Sequence, residues 1–430
     1  MMHNAVMQDS GVEWIGGIPH DWQLDRLKDM VSLRNEKSTE KSDVEDYLEL
    51  EDLEQGTGRL LSIRNTTNVE SAVMKFYKGD VLFCKLRPYL RKYHLATFDG
   101  KCTGEILAFK PERIDPKFLL YFIASDGFIK ICTAMSYGAK MPRVNYPKQL
   151  ALLPVCFPFM EEQQAIAQYL ELRCGKLDSV IAIKQQQIKA LDALRESIIF
   201  HAVTKGLDAS VPLVDSGVEW LGEIPVHWKT QQIKRRCKLL RGKFSHRPRN
   251  DPAFYNGDYP FVQTGDVTSA NKYIKTYSQT LNELGFSVSK MFPRKTLVMT
   301  IAANVGDVAI LDFDACFPDS LVGLVPSHNT YLDFLYYLML AMKGILLKSA
   351  ILTTQLNLNN VQIGTIFAPF PPISEQQAIA GHLDQETQRL NALKENLSQQ
   401  ISILEAYKKA LIYECVTGKK RINADVLNAG

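Results

Sequence analysis

One internal repeat constrains this chain more than any other feature. The stretch DSGVEWIGGIPHDW at Asp9–Trp22 returns as DSGVEWLGEIPVHW at Asp215–Trp228, displaced by 206 residues. EQQAIA at Glu162–Ala167 returns at Glu375–Ala380, preceded by Phe157-Pro158 and Phe370-Pro371, and Val203-Thr204 returns as Val416-Thr417, all displaced by 213. Solenoids use units of ~20–50 residues in several copies. Here the unit exceeds 200 residues and occurs twice, which predicts a pseudo-two-fold molecule. Each half runs from an opening motif through a variable region (Gln23–Cys156 or Lys229–Pro369) to a Pro-bearing closing motif and a long helix. The two variable regions show little resemblance to each other, so the shared motifs are expected to be scaffold and the divergent regions to be readers.

The helices carry a heptad seam. Positions alternately four and three apart are Leu170, Cys174, Leu177, Ile181, Lys184, Ile188, Leu191, Arg195 and Ile198 in the first half. Adding 213 gives Leu383, Thr387, Leu390, Lys394, Leu397, Ile401, Leu404, Lys408 and Leu411. Seven of the first nine and six of the second nine are apolar, as a helix pair requires. At 1.5 Å per residue, about 40 residues make a rod ~60 Å long, which cannot hide an apolar stripe alone. The matched partner is the other helix, running antiparallel; the alternative is that each helix packs on its own domain. The opposite faces, rich in Gln and Lys as at Lys184-Gln185-Gln186-Gln187, are either solvated or a docking surface for other subunits.

Composition adds limits. The 430 residues are 46% hydrophobic and 23% charged, the balance of a chain that buries sizeable cores. With 50 Lys plus Arg against 47 Asp plus Glu, net charge is only +3, so any attraction to nucleic acid must be local. The eight cysteines (84, 102, 132, 156, 174, 237, 316 and 415) lack disulfide or zinc spacing and are expected to be reduced and mostly buried. The start, MMHNAVMQDS, has no signal-peptide pattern, so the cytoplasm is the expected location. Tyr331–Leu347, interrupted by Asp333 and Lys343, is expected to be a buried helix rather than a membrane span.

Enzymatic signatures are missing. The sequence has no phosphate-binding Gly-x-x-x-x-Gly-Lys-Ser/Thr loop, dinucleotide fingerprint, Gly-x-Ser-x-Gly elbow, Asp/Asn-Pro-Pro-Tyr/Phe tetrapeptide or His-Glu-x-x-His helix. Pro318-Asp319 could open a nuclease motif, but no Glu-x-Lys follows it before Glu375. No catalytic or metal-binding residue is nominated. A cryptic enzyme would need titratable groups converging in a pocket.

Basic residues do cluster. Lys234, Arg235, Arg236, Lys238, Arg241, Lys243, Arg247 and Arg249 fall within 16 residues without an acid. Such density neutralises phosphates and gains affinity through counterion release, the alternative being a solvated basic face. In the first region KLRPYLRKYHLATF supplies Lys85, Arg87, Arg91, Lys92 and Tyr93. Before each closing motif lies a polar loop, YGAKMPRVNYPKQL at Tyr137–Leu150 and TTQLNLNNVQIG at Thr353–Gly364. Arg pairs with guanine and Asn or Gln with adenine in the major groove, so Lys140, Arg143 and Asn145, and Gln355, Asn357 and Asn359, have suitable chemistry. The alternative is an Asn-rich turn. Arg143, Asn145, Gln355 and Asn357 rank first as base readers; Arg87, Arg91, Arg241, Lys243 and Arg247 rank first as phosphate binders.

The opening motif ending in Gly-x-Ile-Pro-x-x-Trp, the Pro-then-Glu-Gln-Gln-Ala-Ile-Ala helix start and their duplication resemble the specificity subunit (HsdS) of type I restriction–modification systems. The resemblance implies two mixed α/β target-recognition domains, 1–158 and 209–372, each reading one half of a split DNA site. It implies two antiparallel spacer helices, 159–208 and 373–418, and a C-terminal tail, 419–430. It further implies that the helices dock two methyltransferase subunits, and that motor-nuclease subunits join the full complex. S-adenosylmethionine, ATP and magnesium are then expected in those partners, with no cofactor in this chain. A subunit of a fused restriction–methylation enzyme would look the same. A purely structural coiled-coil protein would leave the divergent basic regions unexplained. The bases read and the length of the gap have no transferable residue code.

Overall fold

The computed structural model describes residues 6–302, 304–349, 351–352 and 356–422 of a mixed α/β chain. They fall into two compact units, one drawn from Met1–Gln185 with Ser398–Gly430 and the other from Gln186–Leu397. The long helices are Met160–Lys205 and Ile373–Val416, of 46 and 44 residues. Acidic Glu161, Glu162 and Glu375 occupy their first turns, where carboxylates complement the helix dipole. Gly206 and Gly418 end them at positive φ (78° and 72°).

The repeated motifs close each unit. In the first, Met7–Asp9 pairs antiparallel with Gly17–Pro19, and Gln23–Arg26 pairs antiparallel with Pro154–Phe157 at the closing motif. In the second, Leu213–Asp215 pairs with Glu223–Pro225, and Lys229–Gln232 with Phe367–Phe370. The first Gln of EQQAIA then does the same task twice. Gln163 is 2% exposed and Gln376 fully buried. Their side-chain oxygens accept from the backbone N–H of Asp115 (2.8 Å) and Tyr331 (2.7 Å), and their amide nitrogens donate to the carbonyls of Pro158 (3.0 Å) and Pro371 (2.8 Å). A buried amide must be satisfied in this way, so each Gln ties a domain helix start to the start of a long helix.

The variable regions share more structure than sequence. In the first unit a sheet runs in the order Val31–Leu33, Ile106–Pro111, Val81–Cys84, Tyr93–Leu95. The second repeats it as Cys237–Arg241, Leu321–Pro326, Leu297–Thr300, Val308–Leu311, with Tyr273–Ile274 added in parallel. A second sheet also recurs. Gly100–Cys102 lies between parallel Tyr47–Leu48 and antiparallel Val73–Phe76, and Ala315–Cys316 lies between parallel Tyr255–Phe261 and antiparallel Met291–Phe292. Only the fourth strand differs: Lys37–Ser38 extends the Val73–Phe76 side in the first unit, whereas Gln279–Leu281 extends the Tyr255–Phe261 side in the second. Sheet order depends on which positions are apolar rather than on which apolar residue fills them, so it survives where sequence likeness does not.

Both apolar helical runs break once. Phe118–Ile131 divides into Pro116–Ala124 and Asp126–Ala134 at Ser125, whose hydroxyl caps the second helix. Tyr331–Leu347 divides into Leu332–Ala341 and Lys343–Ser349 at Met342. Among the described residues no helix is long and apolar enough to cross a membrane, and all eight cysteines are free and buried.

Each unit takes segments of both long helices. Leu411, Ile412, Cys415 and Val416 join Leu170 and Cys174 in the first core, and Ile199, Ala202 and Val203 join Ile379, Ala380 and Leu383 in the second. All eighteen seam positions are buried or partly buried. The seam lysines reach across to the other helix. Lys408 meets Asp178 at 2.7 Å and Lys184 meets Gln400 at 2.5 Å in the first unit, and Lys394 meets Asp192 at 2.5 Å in the second. In both units the paired segments run antiparallel.

Candidate nucleic-acid interface

In the first unit a short turn and a polar loop come together. Arg87 and Arg91 flank Pro88–Leu90 at positive φ (51° and 52°). The Arg87 N–H donates to Pro142 (2.8 Å) and its guanidinium to the Lys140 carbonyl (3.3 Å), which joins the turn to the loop Tyr137–Arg143. Arg87 and Lys140 are exposed, beside exposed Tyr89 and Tyr137. Behind them Arg143 is held through Nε by both oxygens of Glu105 (3.1 and 3.0 Å). That carboxylate raises the Arg143 pKa further. The grip uses the Nε edge and leaves most of the Nη edge for another partner.

Arg91, Lys92 and Tyr93 of the KLRPYLRKYHLATF stretch turn inward. Arg91 pairs with Asp126 and donates to the Ala124 carbonyl (2.7 Å), Lys92 donates to the Leu50 carbonyl, and Tyr93 is buried with its hydroxyl on the Gly56 carbonyl (2.9 Å). These three hold the fold. Lys85 and Asn145 line a cleft of about 500 Å³ beside Arg143. Asn145 also accepts through Oδ1 from the Lys148 N–H (2.9 Å), a local turn bond.

The basic stretch of the second unit divides in two. Lys234 and Arg235 lie in the turn Ile233–Arg235. Arg236 stacks 4.9 Å from the Phe370 ring, and burial lowers its pKa. Arg241 ends the strand Cys237–Arg241 and Lys243, Arg247 and Arg249 follow it on a loop, all four exposed. Arg241 Nε donates to the Asp319 carbonyl (2.9 Å), Arg247 meets its carboxylate at 3.2 Å, and Arg249 pairs with the other oxygen. Lys243 has no side-chain partner among the described residues. Asp319 is thus the centre of an arginine cluster. It precedes the central strand Leu321–Pro326 much as Glu105 precedes Ile106–Pro111, so a carboxylate at the same place in the sheet steadies arginines in both units.

Of the second polar loop, Gln355 lies outside the described residues. Asn357 is described only as backbone of the strand Leu356–Asn357. Asn359 caps the helix Asn360–Thr365, its Oδ1 accepting from Val361 (3.0 Å) and Gln362 (2.9 Å). Beside the arginine cluster lies a cleft of about 760 Å³ lined by Arg249, Asn250, Asn256, Gln263, Tyr277 and Gln279 among others. Its amides escaped sequence reasoning because Gln263 and Gln279 share no motif; strand pairing brings them together, with Gln263 Nε2 donating to Gln279 Oε1 at 2.9 Å. Among the described residues no three His, Cys, Asp or Glu side chains gather to hold a metal.

Residues 225–402 match the family described as type I restriction modification DNA specificity domain. A putative type I restriction enzyme MjaX specificity subunit from Methanocaldococcus jannaschii is 25% identical over 95% of this chain and 96% of its own length. Along nearly its whole length the chain is similar to specificity subunits of type I restriction–modification systems. Among its relatives the EcoDI specificity subunit of Escherichia coli is 26% identical over 48% of this chain and 46% of its own. The fold agrees. A chain solved in work on complex assembly and conformational transition of the type I R-M system superposes with a TM-score of 0.74 at 19% identity, covering 94% of this chain and 99% of that one. The HsdS subunit of Thermoanaerobacter tengcongensis gives 0.52 at 18% identity, over 94% and 98%. In this chain the exposed arginines and polar clefts described above lie in the two variable regions, and the shared motifs form the frame.

Proposed function

We propose that each unit of this specificity subunit reads one half of a split, asymmetric duplex DNA site, and that the chain performs no chemistry itself. The two long helices set the gap and offer docking faces to two methyltransferase subunits. Those partners methylate adenine with S-adenosylmethionine, and motor-nuclease subunits using ATP and magnesium complete the complex in the cytoplasm. The observation that carries this reading is one sheet framework built twice with different polar surfaces: arginines around Asp319 in one unit, and Arg87, Lys140 and Arg143 in the other. A scaffold alone would not need the divergence. A reader of two different half-sites does.

The test is methylation mapping after coexpression with the cognate methyltransferase subunit, repeated with Arg241–Asn360 replaced by the corresponding region of a related chain. The expected result is a two-part motif of which one half changes. Both halves changing together, or no motif at all, would overturn independent reading.

A further inference from the structure

In the second of the two shared sheets, the strand that each unit has and the other lacks borders that unit's polar cleft. In the first unit the edge strand Lys37–Ser38 contributes Lys37 to the cleft that holds Asn35 and Arg143. In the second, on the opposite edge of the shared sheet, Gln279–Leu281 contributes Gln279 to the cleft that holds Gln263 and Arg249. Apart from these two strands and the added Tyr273–Ile274, the sheet framework is common to both units. Both clefts also adjoin the steadied arginines: Arg143 and Arg249 line them while gripping Glu105 and Asp319.

We infer that the unshared edge strand and its cleft decide which bases each unit accepts, and that in the second unit Gln279, oriented by Gln263, contacts an adenine edge in the major groove. This rests on the reading of function given above. An amide gives one donor group and one acceptor, the complement of adenine N6–H and N7. Gln263 is partly buried and donates to Gln279 Oε1, which orients the exposed partner, leaves the second lone pair of that oxygen for an adenine N6–H, and leaves the amide nitrogen without a partner among the described residues. A donor held in place beside a basic rim loses little entropy on binding, which favours selective contact over loose attraction.

The experiment compares wild type with Gln279→Ala, Gln279→Glu and Lys37→Ala, each in complex with the methyltransferase subunit. Its readouts are methylation mapping and competition between duplexes carrying single changes in the wild-type motif. Gln279→Ala should lower discrimination at one position of the second half by roughly 5- to 150-fold, since a good side-chain–base pair is worth that much. Gln279→Glu, an acceptor only, should move preference there from adenine towards cytosine. Lys37→Ala should relax the first half and leave the second unchanged. An unaltered motif and unaltered competition for both Gln279 variants would overturn the inference while leaving two-part reading intact. A wild-type complex that methylates no split motif would instead overturn the reading of function on which it stands.

Discussion

An arginine that contacts a base must be held still, and holding it still consumes part of its hydrogen-bonding edge. Arg143 meets both demands, held through Nε on Glu105 while it lines the cleft. Lys243 meets neither, being an exposed cation without a partner among the described residues. Arg143→Ala should therefore change preference at one position of one half-site. Lys243→Ala should weaken all duplexes alike and reduce the slope of log affinity against log salt by about 1. Titration of binding at several salt concentrations separates the two. Inside the first unit, His94 is buried, with Nδ1 2.8 Å from the Gly58 carbonyl and no partner at Nε2. Burial lowers its pKa below the ordinary value. A depressed histidine pKa favours the folded state above the unfolded value of ~6.5, and that stability is lost as pH falls through the folded value. The protection factors of the Val81–Cys84 amides should fall below pH ~6.5, and those of His94→Gln, which can still donate to Gly58, should fall less.

The two long helices stop on glycine for the same reason but in different surroundings. At φ of 78° and 72°, any other residue meets the left-handed penalty of ~1–2 kcal/mol. A Cβ on Gly206 would lie 3.2 Å from the Trp228 ring, whereas one on Gly418 would lie 2.3 Å from Pro19 Cδ. Gly206→Ala should cost about that penalty in the second unit, and Gly418→Ala distinctly more in the first, measured by urea unfolding with exchange probes in each unit. The glycines also mark what sequence reading could reach. The Pro and Gly punctuation, the heptad frame and the repeated motifs are local signals, and the helices and closing strands sit where those signals lie. Ser125 and Met342 split runs that apolar content alone leaves continuous, because a cap hydroxyl or a change of direction leaves no mark on hydrophobicity. Arg91, Lys92 and Tyr93 are chemically fit for DNA, but their carbonyl and carboxylate partners lie 33–42 residues away in sequence. The Gln263–Gln279 pair escaped for the converse reason, since only strand register joins them.

For the whole chain, the helix pair proposed as a ruler makes a geometric demand. One heptad lengthens a helix by about 10 Å, while B-DNA rises ~34 Å per turn, so seven residues correspond to about three base pairs. Inserting one heptad in both helices, near Gln187 and Gln400, keeps the seam in frame because the insert repeats its 3.5-residue period. Three base pairs also turn the duplex by roughly a third of a turn, far more than the ~20° drift of a heptad, so the fit should worsen as well as lengthen. The expected outcome is a methylated motif with both half-site sequences unchanged, a gap longer by up to about three base pairs, and a lower rate. Inserting the heptad in one helix only should break the seam, because Lys408, Lys184 and Lys394 would no longer all face Asp178, Gln400 and Asp192. Methylation mapping reads both variants. The wild-type gap retained by the double insertion would remove the helices as the ruler and leave the gap to be set by the partner subunits.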